Sequence, residues 1–437
     1  MNDPPVHDPP ADDDVVLLSG AGYKRDPYPL YRRLRERGPI HRVRFPSGVL
    51  AWLVTGYDTA CELLSDRRLG KNHDRGNAAW RALAAIMPEP QHSQLQVHLL
   101  HQDPPRHTAM RRPVAEAFSP RAAEEMRPRV RALADLLVDA LPIRADPDAP
   151  VDLVETFAAQ LPFQVLAEAI GLPADLAVRF RREWGQVVAP VGPGDPGRPR
   201  YESLLHGLQG YIAEVVDRAL GDPSPGLLPR LAAAYQAGDL SRAELDSTVF
   251  QLLVAGQEPV TNQLCTALIA LFRNPGQLAA LRDQLTPDGA GQGIGPVTGD
   301  AARPLELAVE ELLRYDSAFE LTTWRFLAAD DDLAGTRIPA GDSVIVSLCA
   351  ANRDERRFPD PDRLDLNRTP NPHLAFGHGV HFCAGAALAR VELQEALAVL
   401  LHRLPGLSLA PDAQLEWIPA VLGRGVRALP VSYTVRL

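Results

Sequence analysis

The chain has little that would carry it into a membrane, through a secretion channel or onto nucleic acid. No apolar run among its 437 residues approaches the roughly 18 that a membrane-spanning helix needs. Lys and Arg number 45 against 55 Asp and Glu, a formal net charge of −10, whereas nucleic-acid binders show a basic balance or stripe. Met1 to Asp14 lack the basic and apolar regions of a signal peptide. They are rich in Pro and Asp and read as part of a disordered leader, residues 1–20, on a cytoplasmic protein. Cysteine is scarce. Cys61, Cys265, Cys349 and Cys383 are scattered without a CxxC pair, so no disulfide framework is expected and the compartment reads as reducing. The first three sit in apolar stretches and read as small core residues. No flavin or iron–sulfur motif occurs, so redox chemistry here would take its electrons from another protein.

What is present is apolar bulk, at 46% of residues, and 41 prolines that fall largely between helical segments. That pattern suits many helices broken sharply by turns. Length alone suggests two to four domains of about 150 residues, yet no linker divides the chain convincingly. The reading is mainly α with small β-sheets. Ile40–Arg44 and Leu50–Thr55 read as a hairpin around Pro46-Ser47-Gly48. Residues 74–102 read as a mobile loop with short helical pieces. A long helix is expected from Leu245 to Phe272, opened by a Ser241/Glu244 capping box and interrupted at Gly256 and Pro259. Strands are expected near Arg325 and over Asp342–Leu348, then a Pro-rich meander over Asn352–Pro372 and a strong helix over Ala386–Leu401.

Cys383 stands just ahead of that last helix. A helix N-terminus offers unpaired N–H groups and a positive dipole end, which favour a thiolate. Gly377, Gly379 and Gly385 carry no Cβ, so the backbone can turn tightly and approach a flat ligand. A thiolate so placed suits an axial haem sulfur, which pushes electron density onto iron. Zinc is a competing reading, because His373, His378, His381 and Cys383 cluster here, although zinc ligands usually come from two separated pairs. A purely structural cysteine is a third.

Phe376, Gly377, Gly379, His381, Cys383 and Gly385 fit F-G-x-G-x-H-x-C-x-G. This resembles the signature of the cytochrome P-450 haem-thiolate monooxygenases, most of all their soluble bacterial members of actinobacterial type. The resemblance runs from about Tyr28 to the C-terminus. It implies one prism-shaped, α-rich domain over 21–437, haem b as cofactor and Cys383 as its iron ligand, with Phe376, Gly377 and Gly385 around it. It implies that Glu311 and Arg314, an E-x-x-R pair, lock the meander with a third basic residue, Arg363 or Arg368. It also implies that His107 and Arg111, on the D-P-P-x-H-T-x-x-R element, meet the haem propionates together with Arg325 and His381.

Ala255, Gly256, Gln257, Glu258 and Pro259 resemble the family's A-G-x-[D/E]-T stretch over the haem, with one departure. Pro259 replaces the threonine that helps deliver protons during oxygen activation. Water with Glu258, or a substrate hydroxyl or amide, would then take its place. Peroxide use is a further reading, although relatives of that kind carry an arginine here rather than an acid. A non-catalytic haem or zinc module lies outside the enzyme class.

The family places substrate against 80–100, 186–202, Val254–Pro259, Ala318–Thr323 and Trp417–Val421. Trp80, Met87, Phe319, Leu321, Trp324, Trp417 and Ile418 suggest a partly aromatic pocket, although each taken singly reads more readily as an ordinary core residue, and Glu320 would meet an amine or face solvent. The reaction expected is hydroxylation, or oxidative cyclisation or coupling, of a small natural product. Ferredoxin and its reductase are the expected electron donors, docking on a basic surface of Arg106, Arg112 and Arg121.

Overall fold

The computed structural model describes residues 15–84, 94–145, 149–184, 196–222, 226–285 and 303–435. Strands β1 (Val16–Leu17), β2 (Ile40–Arg44), β3 (Leu50–Val54), β4 (Leu69–Gly70), β5 (Arg325–Leu327) and β6 (Ser343–Val346) form one sheet in the order β1-β2-β3-β6-β5-β4. The hairpin β2–β3 turns where Gly48 takes a left-handed φ of 86°. β6 runs parallel to β3, with Val344 opposite Trp52, and antiparallel to β5, with Val344 opposite Arg325. That register is what fixes Arg325. Val16 and Leu17 fall inside the leader expected from sequence, yet they pair in parallel with Val43 and Arg44. The open backbone edge of β2 supplies partners that local composition does not reveal. Residues 1–14 lie outside the described residues, as do Met87 and residues 185–195 and 286–302.

Helices make up most of the rest. Those that carry the site are α1 (Ala21–Arg25), α2 (Tyr28–Arg37), α3 (Arg106–Ala117), α4 (Pro120–Asp139), α5 (Gln160–Ile170), α6 (Arg242–Ala255), α7 (Glu258–Arg273), α8 (Arg303–Tyr315) and α9 (Ala386–Arg403). α9 is buried almost all round from Val391 to His402, as befits a helix through the centre of the fold. It lies along α4, where Arg127 and Arg131 clamp its buried Glu395 at 2.7 and 3.2 Å. Within 74–102 a 3-10 turn (His73–Arg75), a helix (Ala78–Ala84) and a second 3-10 turn (Leu99–His101) are formed.

The long helix expected from Leu245 to Phe272, interrupted at Gly256 and Pro259, is two helices. Ser241 and Glu244 cap α6 reciprocally, and the break falls at Gly256-Gln257. Pro259 explains it. It has no N–H for the carbonyl of Ala255, and it sits in the first turn of α7, where none is needed. Gly256 is required by packing, since a Cβ there would stand 2.7 Å from Leu166 Cδ1 of α5.

Candidate active site

Cys383 is presented by a backbone folded on itself. Gly377 N–H donates to Leu374 O at 2.8 Å and Cys383 N–H donates to Phe376 O at 2.9 Å. Gly377 and Gly379 both take φ 74°, and a Cβ on Gly379 would stand 2.7 Å from Leu64 O, so only glycine fits there. Burial pushes the Cys383 thiol up, against the N–H of Gly385, which donates to the sulfur, and the cations of Arg111 and Arg390. Gly385 has an ordinary backbone conformation, with φ −90°. Nothing lies within 4 Å of where its Cβ would be, and the residue faces the cavity. Its lack of a side chain keeps that surface flat.

A cavity of about 290 Å³ opens above the sulfur. Ala255, Gly256, Pro259, Arg111, Arg325, Phe376, Gly377, His381, Cys383 and Gly385 all line it, although they come from four separate stretches of chain. Glu258 does not. Its carboxyl is drawn toward Asn262 and lies 3.9 Å from where a Cβ on Gly423 would be, and burial pushes it above the usual carboxylate range. Thr261 is turned away as well, its hydroxyl donating to Gln257 O at 3.1 Å.

One wall is cationic. His107 is buried, and its ring lies 4.2 Å from that of His381. Both nitrogens of His107, Nδ1 of His381 and Nε of Arg325 are buried without a hydrogen-bond partner. Burial, with the cations of Lys71, Arg325 and Arg111 close by, pulls His381 down to about 2. Arg325 is pulled down to about 10, also by burial. Lys71 completes the group and was missed in the sequence, where a lone lysine after β4 carries no spacing signal. It is 1% exposed, lines the same cavity and gives its Nζ protons to Thr323 Oγ1 and to Trp324 O. The unpartnered nitrogens of His107, His381 and Arg325 are costly to bury. A dianionic ligand at this wall would satisfy them.

The support beneath is an ion network. Glu311 and Arg314 are fully buried and joined by two hydrogen bonds of 2.7 and 2.8 Å. Arg314 reaches Asn352 O and Pro361 O at 2.9 Å each, and Glu311 accepts from Asp365 N–H at 2.9 Å. The third base is Arg368, whose Nε lies 3.1 Å from Glu311 Oε2, while the Arg363 side chain is 68% exposed. The meander that delivers Cys383 is thus tied to α8.

Several expectations fail for physical reasons. Trp80 and Trp324 pack in the core beside Phe326, and Leu321 is buried with them. Trp417 lies under the Arg424 guanidinium, 4.0 Å from its ring centre. Phe319 does line the cavity. Glu320 meets neither substrate nor solvent, because it is fully buried and paired with Lys24 at 2.6 Å. Arg106, Arg112 and Arg121 face Glu244, Glu116 and Glu125, so they do not form an uncompensated basic surface. Of the zinc candidates, His373 is drawn off to Glu310 at 3.0 Å, and among the described residues no group of three or more metal-ligating side chains converges.

A thiol at the head of a buried helix, a flat glycine surface beside it and a wall of basic side chains, several of their nitrogens buried without partners, together describe a haem-thiolate oxidoreductase. Comparison with known proteins gives the same answer: the chain belongs to the cytochrome P-450 family of monooxygenases. The family model matches residues 222–413. The PikC monooxygenase of Streptomyces venezuelae is 40% identical over 417 residues, covering 95% of this chain and 92% of that protein. Mycinamicin IV hydroxylase/epoxidase of Micromonospora griseorubida is 40% identical over 406 residues, 92% of this chain and 94% of its own. The tirandamycin C-bound structure of the monooxygenase TamI superposes with a TM-score of 0.82 at 34% identity, over 95% of this chain and 99% of its own. Among the described residues no single helix is long and apolar enough to cross a membrane.

Proposed function

We propose that the chain binds haem b through the Cys383 thiolate and oxidises a largely apolar natural product, by hydroxylation or oxidative ring closure. Ferredoxin and its reductase supply the electrons in the cytoplasm. The observation that carries this reading is the shared cavity, with a thiol on one side and the donors of Lys71, Arg111, Arg325 and His381 on another. Those donors, with His107, would hold the two propionates. The macrodipole of α9 and the Gly385 N–H would stabilise the sulfur as its anion. When bound, haem-thiolate iron supplies the reductive activation of O₂. The named activities of PikC and mycinamicin IV hydroxylase/epoxidase, and the tirandamycin bound to TamI, support a natural-product substrate.

Proton supply must differ from a threonine relay. None of Ala255, Gly256 and Pro259 has a side chain that can carry a proton. Glu258 lies behind that wall with its carboxyl held toward the protonated form. Protons would pass from it by water at the helix break. A peroxide-driven reaction fits less well, because Glu258 has the wrong charge to hold a carboxylate.

The test is the absorption spectrum of purified protein, reduced with dithionite and treated with CO. The red-shifted Soret band of a thiolate-ligated haem is expected. A haem-free spectrum after haem-supplemented expression would refute the reading.

A further inference from the structure

Glu320 is a carboxylate that touches neither the haem wall nor the Glu311 network. It is fully buried, and one oxygen accepts from both Tyr23 and Tyr31. The other accepts from Lys24 Nζ at 2.6 Å, and that ammonium also reaches Gly423 O at 3.3 Å. All three donors come from α1 and α2, so a residue far along the chain is gripped by its N-terminal helices. Burial and the Glu320 charge hold Tyr23 and Tyr31 well above the usual phenol range, so both remain donors.

The position of Glu320 gives the grip a purpose. The segment 318–323 is bridged at Phe319 to Gly423 and at Leu321 to Ser347. Ala318, Phe319, Thr322 and Thr323 line the cavity, while Glu320 points behind it. The same segment is held on its far flank by Arg424, whose N–H donates to Ala318 O at 2.8 Å and whose guanidinium binds Asp316 at 2.7 Å and the carbonyls of Lys24 and Arg25. The N-terminal helices and the 422–424 turn therefore close around the back of one cavity wall.

We propose that Glu320 is a positioning residue for the substrate. Through Lys24, Tyr23 and Tyr31 it fixes where Phe319 stands, and so sets affinity and site of oxidation for ligands large enough to touch that wall. The inference rests on the haem-thiolate reading, because it treats this cavity as the place where substrate is oxidised. A merely structural knot would change stability and nothing else.

The experiment uses haem-loaded protein and two iron-binding probes, imidazole and 4-phenylimidazole, titrated by the Soret shift. The variants are Glu320→Gln, Lys24→Met and Tyr23→Phe. Imidazole touches little beyond the iron, whereas the phenyl group must meet the walls. In Glu320→Gln and Lys24→Met the Kd for 4-phenylimidazole is expected to rise about ten-fold while that for imidazole stays put, a typical size for coupling through a residue that does not touch the ligand. Tyr23→Phe should show a smaller change in the same direction. If the ratio of the two constants is unchanged in Lys24→Met, the proposal is overturned, even should Glu320→Gln fail to fold. Loss of melting temperature with a constant ratio would overturn it equally. Absence of the thiolate Soret band in the unsubstituted protein would instead sink the haem-thiolate reading itself.

Discussion

The imidazole ring of His381, in the wall of the cavity, lies 4.2 Å from that of His107 behind it, with three of their four nitrogens buried and without partners. One ring comes from α3 and the other from the turn before Cys383. Neither can satisfy the other while both are surrounded by cations. The pair is completed only by acceptors brought from outside, which sets the first prediction.

Lys71→Met should weaken haem retention by roughly ten-fold, the loss of one charge-assisted contact of about 1.5 kcal/mol. The rate of haem transfer to excess apomyoglobin measures it. Arg363→Met, an exposed change away from the cavity, should leave that rate alone. Equal rates for Lys71→Met and the unsubstituted protein would remove Lys71 from the propionate group.

Stability should fall in mild acid. Burial pulls His98 down to about 3 and His101 well below its ordinary value of 6.5, so both stay neutral when folded. The unfolded chain takes up their protons below about pH 6.5, and stability present above that pH is lost as it drops toward the folded values. Each histidine contributes a slope of about 1.4 kcal/mol per pH unit. Urea midpoints between neutrality and pH 4 should show it, and His98→Phe should remove one proton's share. An unchanged slope in that variant would refute the assignment.

Glu311→Gln leaves Arg314 and Arg368 buried beside a neutral amide. Breaking such a pair from one side costs about 3–5 kcal/mol. Arg363→Gln, whose side chain is largely exposed, should cost no more than about 0.5 kcal/mol. Urea unfolding of the two variants side by side tests the choice of Arg368 as the third base. A large loss in Arg363→Gln would reverse it.

Glu258→Gln should lower product formed per NADPH by about 10²-fold, the lower end for positioned proton transfer. The CO-complex spectrum should not change, since Glu258 does not line the cavity. Full coupling in the variant would show that water or the substrate supplies the protons unaided.

Much of this was legible along the chain. Phe376 to Gly385 could be read because the groups that shape the thiolate loop are contiguous, and backbone needs such as the left-handed φ of Gly379 are written as glycine. The hairpin at Gly48 and the Ser241/Glu244 cap are local for the same reason: a turn or a cap involves only near neighbours. The missing threonine at 259 was plain, since an absent hydroxyl needs no fold to be seen. What the residues near Pro259 do was not. The tertiary structure alone decided that Glu258 turns toward Asn262 and that Gly256 must be bare against Leu166. It alone chose Arg368 over Arg363, brought Lys71 into the cationic wall, and turned Trp80 into core. Glu320 shows the reason most clearly. One carboxylate in sequence is compatible with solvent, substrate or an ion pair, and its meaning is set by Tyr23, Lys24 and Tyr31, which reach it only when the N-terminal helices fold back against a segment far along the chain.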